Sequence, residues 1–214
     1  MSKEIIIGLL TEGTTDQRFL QNIIQRTFES FELEITIIDV VPLTKSKGSF
    51  TNNVLKASQE AFNSGVNVLC VQADADNASN KGAYNNSINP AKKALDKASE
   101  QTHCKILVPI VPIYMIEAWM LADKSLLKKE IGTDKSDNDL KINRKPERIA
   151  DPKEIIENAI RIVQKTSKRH QSLNIAELYE PLGQAISLKE LDKLSSYQDF
   201  KKNIEDVFKM LKLL

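Results

Sequence analysis

Four short apolar segments in the first half of the chain constrain its fold more than any other feature of the sequence. They are rich in β-branched residues and lie at residues 4–10, 33–41, 66–72 and 105–111. Such runs are typical of β-strands, and nearly uninterrupted ones indicate strands buried on both faces. The segments between them carry apolar residues at helical spacing. This alternation predicts an α/β fold with a mostly parallel central sheet flanked by helices.

The second half of the chain has a different pattern. Residues 115–122 and 152–165 have helical spacing, whereas residues 132–148 form a charged connector with few apolar residues. An apolar stripe near the C-terminus predicts a final helix. We therefore expect an α/β core over residues 1–122. Residues 123–214 are expected to form a charged connector and a helical extension that packs on this core.

Composition and charge argue against a membrane-spanning or secreted protein but do not decide whether the chain binds nucleic acid. Of the 214 residues, 41% are hydrophobic and 28% are charged, with a formal net charge of +1. Net charge therefore neither favours nor excludes a nucleic-acid partner. The longest apolar runs are too short to cross a bilayer, and the N-terminus shows no signal-peptide pattern. Cys70 and Cys104 lie in apolar segments and are expected to be buried thiols. We predict a soluble, cytoplasmic protein without a membrane partner.

Acidic residues follow two of the predicted strands. Glu12 comes directly after the first strand, and Asp74 and Asp76 follow the third. Parallel sheets bind ligands outside the carboxyl ends of their strands, so these carboxylates are expected to meet. Asp74 and Asp76 are two residues apart, which in an extended chain directs both side chains to one side. Their mutual repulsion would be relieved by a hard divalent cation, Mg²⁺ or Mn²⁺.

Two further carboxylates could join this site. Glu117 lies in an apolar segment after the fourth strand, where a charge is costly unless it is paired or bound to a metal. Asp16 lies in the first turn of the helix that follows Glu12. Both are also explained as favourable charges near a helix N-terminus. Trp119 is expected to be a core residue.

Basic residues cluster in two places. On and after the helix at 152–165, we predict contacts to nucleic-acid phosphates from Arg161, Lys165, Lys168 and Arg169. The connector carries a second cluster, Lys141, Arg144, Lys145 and Arg148. Solvated surface is the alternative explanation for both clusters.

Two of these segments resemble motifs of the TOPRIM (topoisomerase–primase) superfamily. In residues 5–20 a buried strand leads into Glu12 and a helix start, and residues 68–76 end in an Asp-x-Asp pair. Residues 112–123, with their Met-Ile-Glu-Ala-Trp sequence, and a Lys-Pro-Glu run at 145–147 resemble a small bacterial branch of TOPRIM-like proteins. This branch is similar to the TOPRIM domains of OLD-type nucleases.

The resemblance implies a Rossmann-like TOPRIM fold and metal-dependent phosphodiester chemistry. It implies that Glu12 acts as a general acid or base and helps to hold the metal, and that Asp74 and Asp76 bind Mg²⁺ or Mn²⁺. Many members of the superfamily have a third acidic residue where this chain has Ala78. Glu117 or Asp16 would take its place, and we assign Glu117 as the second catalytic residue.

We therefore predict a Mg²⁺-dependent nuclease that acts on DNA or RNA. The resemblance also implies a role in bacterial defence or DNA processing, with an ABC-type ATPase as partner. A non-catalytic TOPRIM-like binding or regulatory subunit is the alternative, and a phosphatase for small phosphoesters is a weaker one. A homodimer is compatible with the sequence.

Overall fold

Four parallel β-strands form the centre of the fold. The computed structural model describes residues 4–31, 33, 37–165 and 172–211. The strands are β1 (Glu4–Leu10), β2 (Ile37–Pro42), β3 (Val68–Gln72) and β4 (Leu107–Ile110), in the order β2-β1-β3-β4. All three pairings are parallel. The predicted α/β class with a mostly parallel sheet is confirmed.

The position of each strand in the sheet explains its sequence. β3 lies between two neighbours and is buried along its whole length, as expected for an apolar run covered on both faces. β2 and β4 are the edge strands, and each contains a proline, Pro42 and Pro109. Proline lacks an N–H donor and is tolerated at a sheet edge. Residues 34–36 of the predicted second strand lie outside the described residues.

The polar segment after β3 is more helical than predicted. Helices α1 (Thr14–Glu29) and α2 (Phe50–Asn63) follow the first two strands as expected. Residues 77–89, predicted as a loop, instead contain α3 (Lys81–Ala83) and a π-helical turn (Tyr84–Ile88) that leads into α4 (Asn89–Lys97). Ala83 and Ile88 pack in a small apolar cluster with Ala75 and Val111. This packing outweighs the low helix propensity of the Asn- and Ser-rich segment.

The second half of the chain is helical. It contains α5 (Glu117–Met120), α6 (Lys124–Glu130), α7 (Pro152–Gln164), α8 (Tyr179–Ala185), α9 (Leu188–Leu191) and α10 (Ser195–Met210). α8 packs against α1, and α10 packs against β4. Trp119 is fully buried and contacts the rings of Tyr197 and Phe200, which confirms its predicted place in the core.

Two hydrophobic clusters cover the two faces of the sheet. Cys70 belongs to one cluster and its neighbour Leu69 to the other, as the alternation of side chains along a strand requires. The first cluster joins β1, β3 and β4 to α1 and the C-terminal helices, whereas the second joins them to α2 and α4. Both cysteines are buried, as predicted. Within the described ranges, no helix combines the length and apolar character needed to cross a membrane.

Candidate functional site

The carboxyl ends of β1 and β3 bring Glu12 and Asp74 together. Gln72, the last residue of β3, connects them: its Nε2 donates to Asp74 Oδ1 at 2.8 Å, and its Oε1 accepts from the backbone N–H of Glu12 at 2.9 Å. The backbone N–H of Asp74 donates to Glu12 Oε1 at 3.4 Å. The two loops that follow the strands are therefore held side by side, with both carboxylates at one edge of the sheet.

Asp16 is the third carboxylate of the site. Gly13 occupies the N-cap position of α1, and its backbone N–H donates to Asp16 Oδ2 at 3.1 Å. Thr11 Oγ1 donates to the Gly13 carbonyl at 2.7 Å. These bonds connect the end of β1 to the first turn of α1. They hold Asp16 near enough to Glu12 for the charge of Glu12 to raise its pKa.

Glu117 is the fourth carboxylate. It is the first residue of α5, is 5% exposed, and accepts a hydrogen bond from the Tyr179 hydroxyl at 2.5 Å. Burial and this hydrogen bond raise the pKa of Tyr179 above its ordinary range, so the hydroxyl stays protonated and donates. The bond links the chain after β4 to α8.

We call these four carboxylates, Glu12, Asp16, Asp74 and Glu117, the acidic cluster. Burial and nearby negative charges shift the pKa values of two of them, Asp74 and Asp16. Burial first, and then the charges of Glu12, Asp16 and Glu117, raise the pKa of Asp74 from 3.8 to about 8. Burial, followed by the charges of Glu117 and Glu12, raises the pKa of Asp16 to about 6 against the lowering effect of two hydrogen bonds.

Asp76 has surroundings different from those of the partly buried Asp74. Its side chain is exposed, its backbone has a φ of 50°, and its N–H donates to the Tyr114 carbonyl at 2.8 Å. The predicted alignment of Asp74 with Asp76 assumed an extended chain. The left-handed turn at Asp76 departs from that conformation and places the residue beside the loop that follows β4.

The acidic cluster has the donor chemistry of a metal site but not a preformed coordination sphere. Among the residues that the structure describes, no group of three or more His, Cys, Asp or Glu side chains is arranged to hold an ion. All members of the acidic cluster are nevertheless carboxylates, the ligands that Mg²⁺ and Mn²⁺ take in proteins. The residues therefore fit a hard divalent cation by type, and binding would require side-chain rearrangement.

Three residues of the site were not predicted from the sequence. Gln72 is 1% exposed and is the one polar residue of an otherwise apolar strand. A buried amide requires hydrogen-bond partners, so its position in the sequence could have indicated a role in the site. Lys45 Nζ donates to the Glu12 carbonyl oxygen at 3.1 Å. Tyr179 lies 62 residues from Glu117 along the chain, and no local pattern connects the two.

The basic residues predicted to bind nucleic acid are only partly described. Arg161 and Lys165 lie at the C-terminal end of α7 and are exposed. Arg161 forms an ion pair with Glu157 at 3.7 Å, one helical turn away. Lys168 and Arg169 lie outside the described residues. Of the two described residues, the geometry brings neither Arg161 nor Lys165 to the acidic cluster.

Residues 112–123 and 145–147 also have a structural function. Trp119 Nε1 donates to Ser196 Oγ at 2.8 Å, and Ser196 Oγ in turn donates to Glu147 Oε1 at 2.7 Å. The other carboxylate oxygen of Glu147 accepts from the N–H and Oγ of Ser195 at 2.9 and 2.8 Å. The Trp of one segment and the Glu of the other therefore meet at the N-terminus of α10.

The raised pKa of Asp74 predicts that stability falls as pH rises. Unfolded Asp74 would lose its proton near pH 3.8, whereas the folded group keeps it up to about pH 8. Between these two pH values the folded state binds more protons than the unfolded state, so the free energy of unfolding falls as pH rises. The contribution of Asp74 to stability is therefore fully present below pH 3.8 and is lost as pH rises to 8. One pKa unit corresponds to about 1.4 kcal/mol, so a rise of about four units sets an upper limit of roughly 6 kcal/mol. Because Asp74 is only partly buried, solvent screening reduces this effect, and in urea denaturation with EDTA at pH 8.5 Asp74→Asn should exceed wild type by roughly 2 kcal/mol.

At pH 4 the difference between Asp74→Asn and wild type should nearly vanish. The matched control is Asp96→Asn, an exposed carboxylate on α4. Its stability should follow that of wild type at both pH values. If Asp74→Asn were no more stable than wild type at pH 8.5, the repulsion within the acidic cluster would be disproved.

Comparison with known protein families identifies the family of the chain. The model of a protein family described as "Domain of unknown function (DUF4276)" matches residues 11–197. This span includes the whole acidic cluster, the connector and the N-terminus of α10. No curated protein and no solved structure matches the chain.

Proposed function

We propose that this chain, which belongs to the family described as domain of unknown function DUF4276, is a divalent-cation-dependent phosphodiesterase that acts on nucleic acid. The observation that carries the proposal is the convergence of four carboxylates at the carboxyl edge of a parallel sheet, where ligands of such folds bind. Perturbed ionisation of this kind is characteristic of functional sites. A cytoplasmic location, expected from the sequence, and an ATPase partner, implied by the resemblance to TOPRIM-like proteins, belong to the same proposal.

Glu12, Asp74 and Asp16 would hold the cation. Asp74 and Asp16 are partly buried and have raised pKa values, so a positive ion would displace their protons and relieve the repulsion. A bound Mg²⁺ or Mn²⁺ supplies Lewis-acid stabilisation of phosphate charge and a more acidic water. Asp76, which is exposed on the turn after Asp74, would be a further ligand of the cation.

Glu12 and Glu117 have different environments and therefore different proposed roles. Glu12 is exposed, so its carboxylate can reach solvent and accept the proton of the attacking water. The water oxygen forms a bond to phosphorus while the bond from phosphorus to the leaving oxygen breaks. Glu117 is buried and bonded to Tyr179. It would position the cluster and add negative charge, rather than exchange protons with solvent.

Cleavage assays with Mg²⁺ or Mn²⁺ test this assignment. The purified chain should nick plasmid DNA or cleave RNA, and Glu12→Gln and Asp74→Asn should each reduce the rate by about 100-fold or more. Asp96→Asn is the matched control. Asp96 lies near Lys105, which comes just before β4, so it is at the amino ends of the strands, whereas the acidic cluster is at their carboxyl ends. Unchanged cleavage in both cluster variants would disprove the roles of these residues.

Binding of the cation can be measured without cleavage. Mn²⁺ should raise the melting temperature of wild type at pH 8, because an ion that binds only the folded state stabilises it. The increase should be much smaller in Asp74→Asn and unchanged in Asp96→Asn. An equal increase in melting temperature in all three proteins would show that the ion binds outside the acidic cluster.

The alternative function is a non-catalytic binding or regulatory subunit. It is favoured by one observation, that the described residues contain no closed group of three metal ligands. Under this alternative, calorimetry would detect no Mg²⁺ or Mn²⁺ binding and no preparation would cleave nucleic acid. The cleavage and binding experiments therefore separate the two functions.

A further inference from the structure

A large cleft lies outside the acidic cluster. Its volume is about 890 Å³, and its walls come from α6, the connector residues 143–148, α9 and the start of α10. Five cationic side chains line it: Lys124, Arg144, Lys145, Arg148 and Lys193. We call it the connector cleft.

The acidic residues that line the connector cleft form ion pairs or hydrogen bonds with groups other than Arg144, Lys145 and Arg148. Asp137 forms an ion pair with Lys128 at 2.8 Å, and Glu190 forms one with Lys193 at 2.6 Å. Asp123 accepts from the Leu126 N–H at the N-terminus of α6. Glu147 accepts four hydrogen bonds at the N-terminus of α10, where the helix dipole compensates its charge.

Three cations of the cleft have no such compensation. Within the described residues, Arg144, Lys145 and Arg148 take part in none of the ion pairs, and all three are exposed. Arg144 Nη2 donates to the Arg148 carbonyl at 3.0 Å, which fixes the turn that carries them. The turn therefore presents three unpaired positive charges in about five residues of chain, an arrangement that attracts phosphate groups.

The connector cleft continues toward the acidic cluster. Glu147, Arg148 and Ser195 also line a second hollow of about 410 Å³, whose other wall includes Ala78 and Tyr114. The Tyr114 carbonyl accepts the hydrogen bond from the Asp76 N–H, so this hollow reaches the loop that carries Asp74 and Asp76. The combined depression is far larger than one phosphate group, which suits an extended polyanion.

We infer that the connector cleft binds the phosphodiester backbone of a nucleic-acid strand, with Arg144, Lys145 and Arg148 as its phosphate contacts. The inference rests on the proposed function, because it supplies the path by which a strand reaches the acidic cluster. It also assigns binding to the connector rather than to Arg161 and Lys165 on α7.

Fluorescence anisotropy with labelled 20-nucleotide DNA and RNA strands, in EDTA and over a series of salt concentrations, tests this inference. The test variant is Lys145→Gln with Arg148→Gln, which leaves Arg144 and its structural hydrogen bond in place. The matched control is Arg161→Gln with Lys165→Gln, which removes the same charge from an exposed surface. An unlabelled mononucleotide as competitor measures whether the site requires a polymer.

The connector variant should bind at least one of the two strands about 10-fold or more weakly at low salt. In a plot of log affinity against log salt concentration, the slope of the variant should be shallower by about 1.4. Each phosphate contact on a single strand contributes about 0.7 to the slope, and the variant loses two such contacts. The α7 variant should bind like wild type, and the mononucleotide should compete poorly. Equal binding by the connector variant and wild type, or a loss confined to the α7 variant, would overturn the inference, as would effective competition by the mononucleotide.

Binding in EDTA and cleavage in Mn²⁺ separate this inference from the proposed function. If the connector variant loses affinity but no protein cleaves nucleic acid, the cleft is a binding site and the catalytic proposal is wrong. If wild type cleaves and the connector variant binds and cleaves equally well, the catalytic proposal stands and the connector cleft is not the binding site.

Discussion

Gly183→Ala is expected to destabilise the protein by about 3 kcal/mol, although alanine is a better helix former than glycine. A Cβ atom at Gly183 would lie 2.4 Å from the carbonyl oxygen and 2.9 Å from the Cα of Phe19. Both are backbone atoms of α1, so relief requires the two helices to separate. Overpacking of a core contact costs about 1–3 kcal/mol or more, which exceeds the gain of roughly 1 kcal/mol in helix propensity.

Separation of these helices would also disturb the acidic cluster. Arg26 of α1 donates to the carbonyl oxygens of Gly183 and Ile186 at 3.3 and 2.7 Å. The same helix α8 carries Tyr179, which holds Glu117. Gly183→Ala should therefore weaken Mn²⁺ binding as well as stability.

Chemical denaturation measures the stability effect, with Gly82→Ala as the control. A Cβ atom at Gly82 in α3 meets nothing within 4 Å, so this variant should be neutral or slightly more stable than wild type. For a chain of this size, 3 kcal/mol corresponds to a fall in melting temperature of about 6–12 °C. Equal stability of the two variants would show that α1 and α8 do not make this close contact.

Glu147→Ala should have an effect of similar size, a loss of about 2–4 kcal/mol. The carboxylate accepts hydrogen bonds from the N–H and Oγ of both Ser195 and Ser196, and hydrogen bonds to a charged group contribute about 1.5–3 kcal/mol. Its removal leaves the first N–H groups of α10 without this cap, and Ser196 is 1% exposed. Glu147→Gln retains one acceptor oxygen and should lose less.

The fluorescence of Trp119 reports this change directly. The chain has one tryptophan, and its Nε1 donates to Ser196, which is bonded to Glu147. The emission of folded Glu147→Ala should differ from that of wild type because Ser196 is free to reorient. Glu100→Ala, at an exposed position, should change neither emission nor stability. A Glu147→Ala protein that behaved like Glu100→Ala would contradict the proposed cap.

Much of the fold could be predicted from the sequence because its determinants are local. The apolar run of β3 predicts a strand buried on both faces, and the helical spacing in α2 and α7 predicts their faces. The short helices α8 and α9 were not predicted, since seven and four residues contain too few turns to show a period. The segment 77–89 was predicted as a loop because the packing of Ala83 and Ile88 is not visible in its composition.

The candidate site was predictable in part. The sequence by itself determined that Glu12 and Asp74 would each follow the end of a strand, because strand ends are marked by the change from apolar to polar residues. The addition of Asp16 and Glu117 to one cluster, and the separate environment of Asp76, depended on the tertiary structure. Strand order, the turn at Asp76 and the hydrogen bond from Tyr179 are set by contacts between residues far apart in the chain. The pKa of Asp74 likewise depends on burial and on the charges of Glu12, Asp16 and Glu117, which only the folded chain brings together.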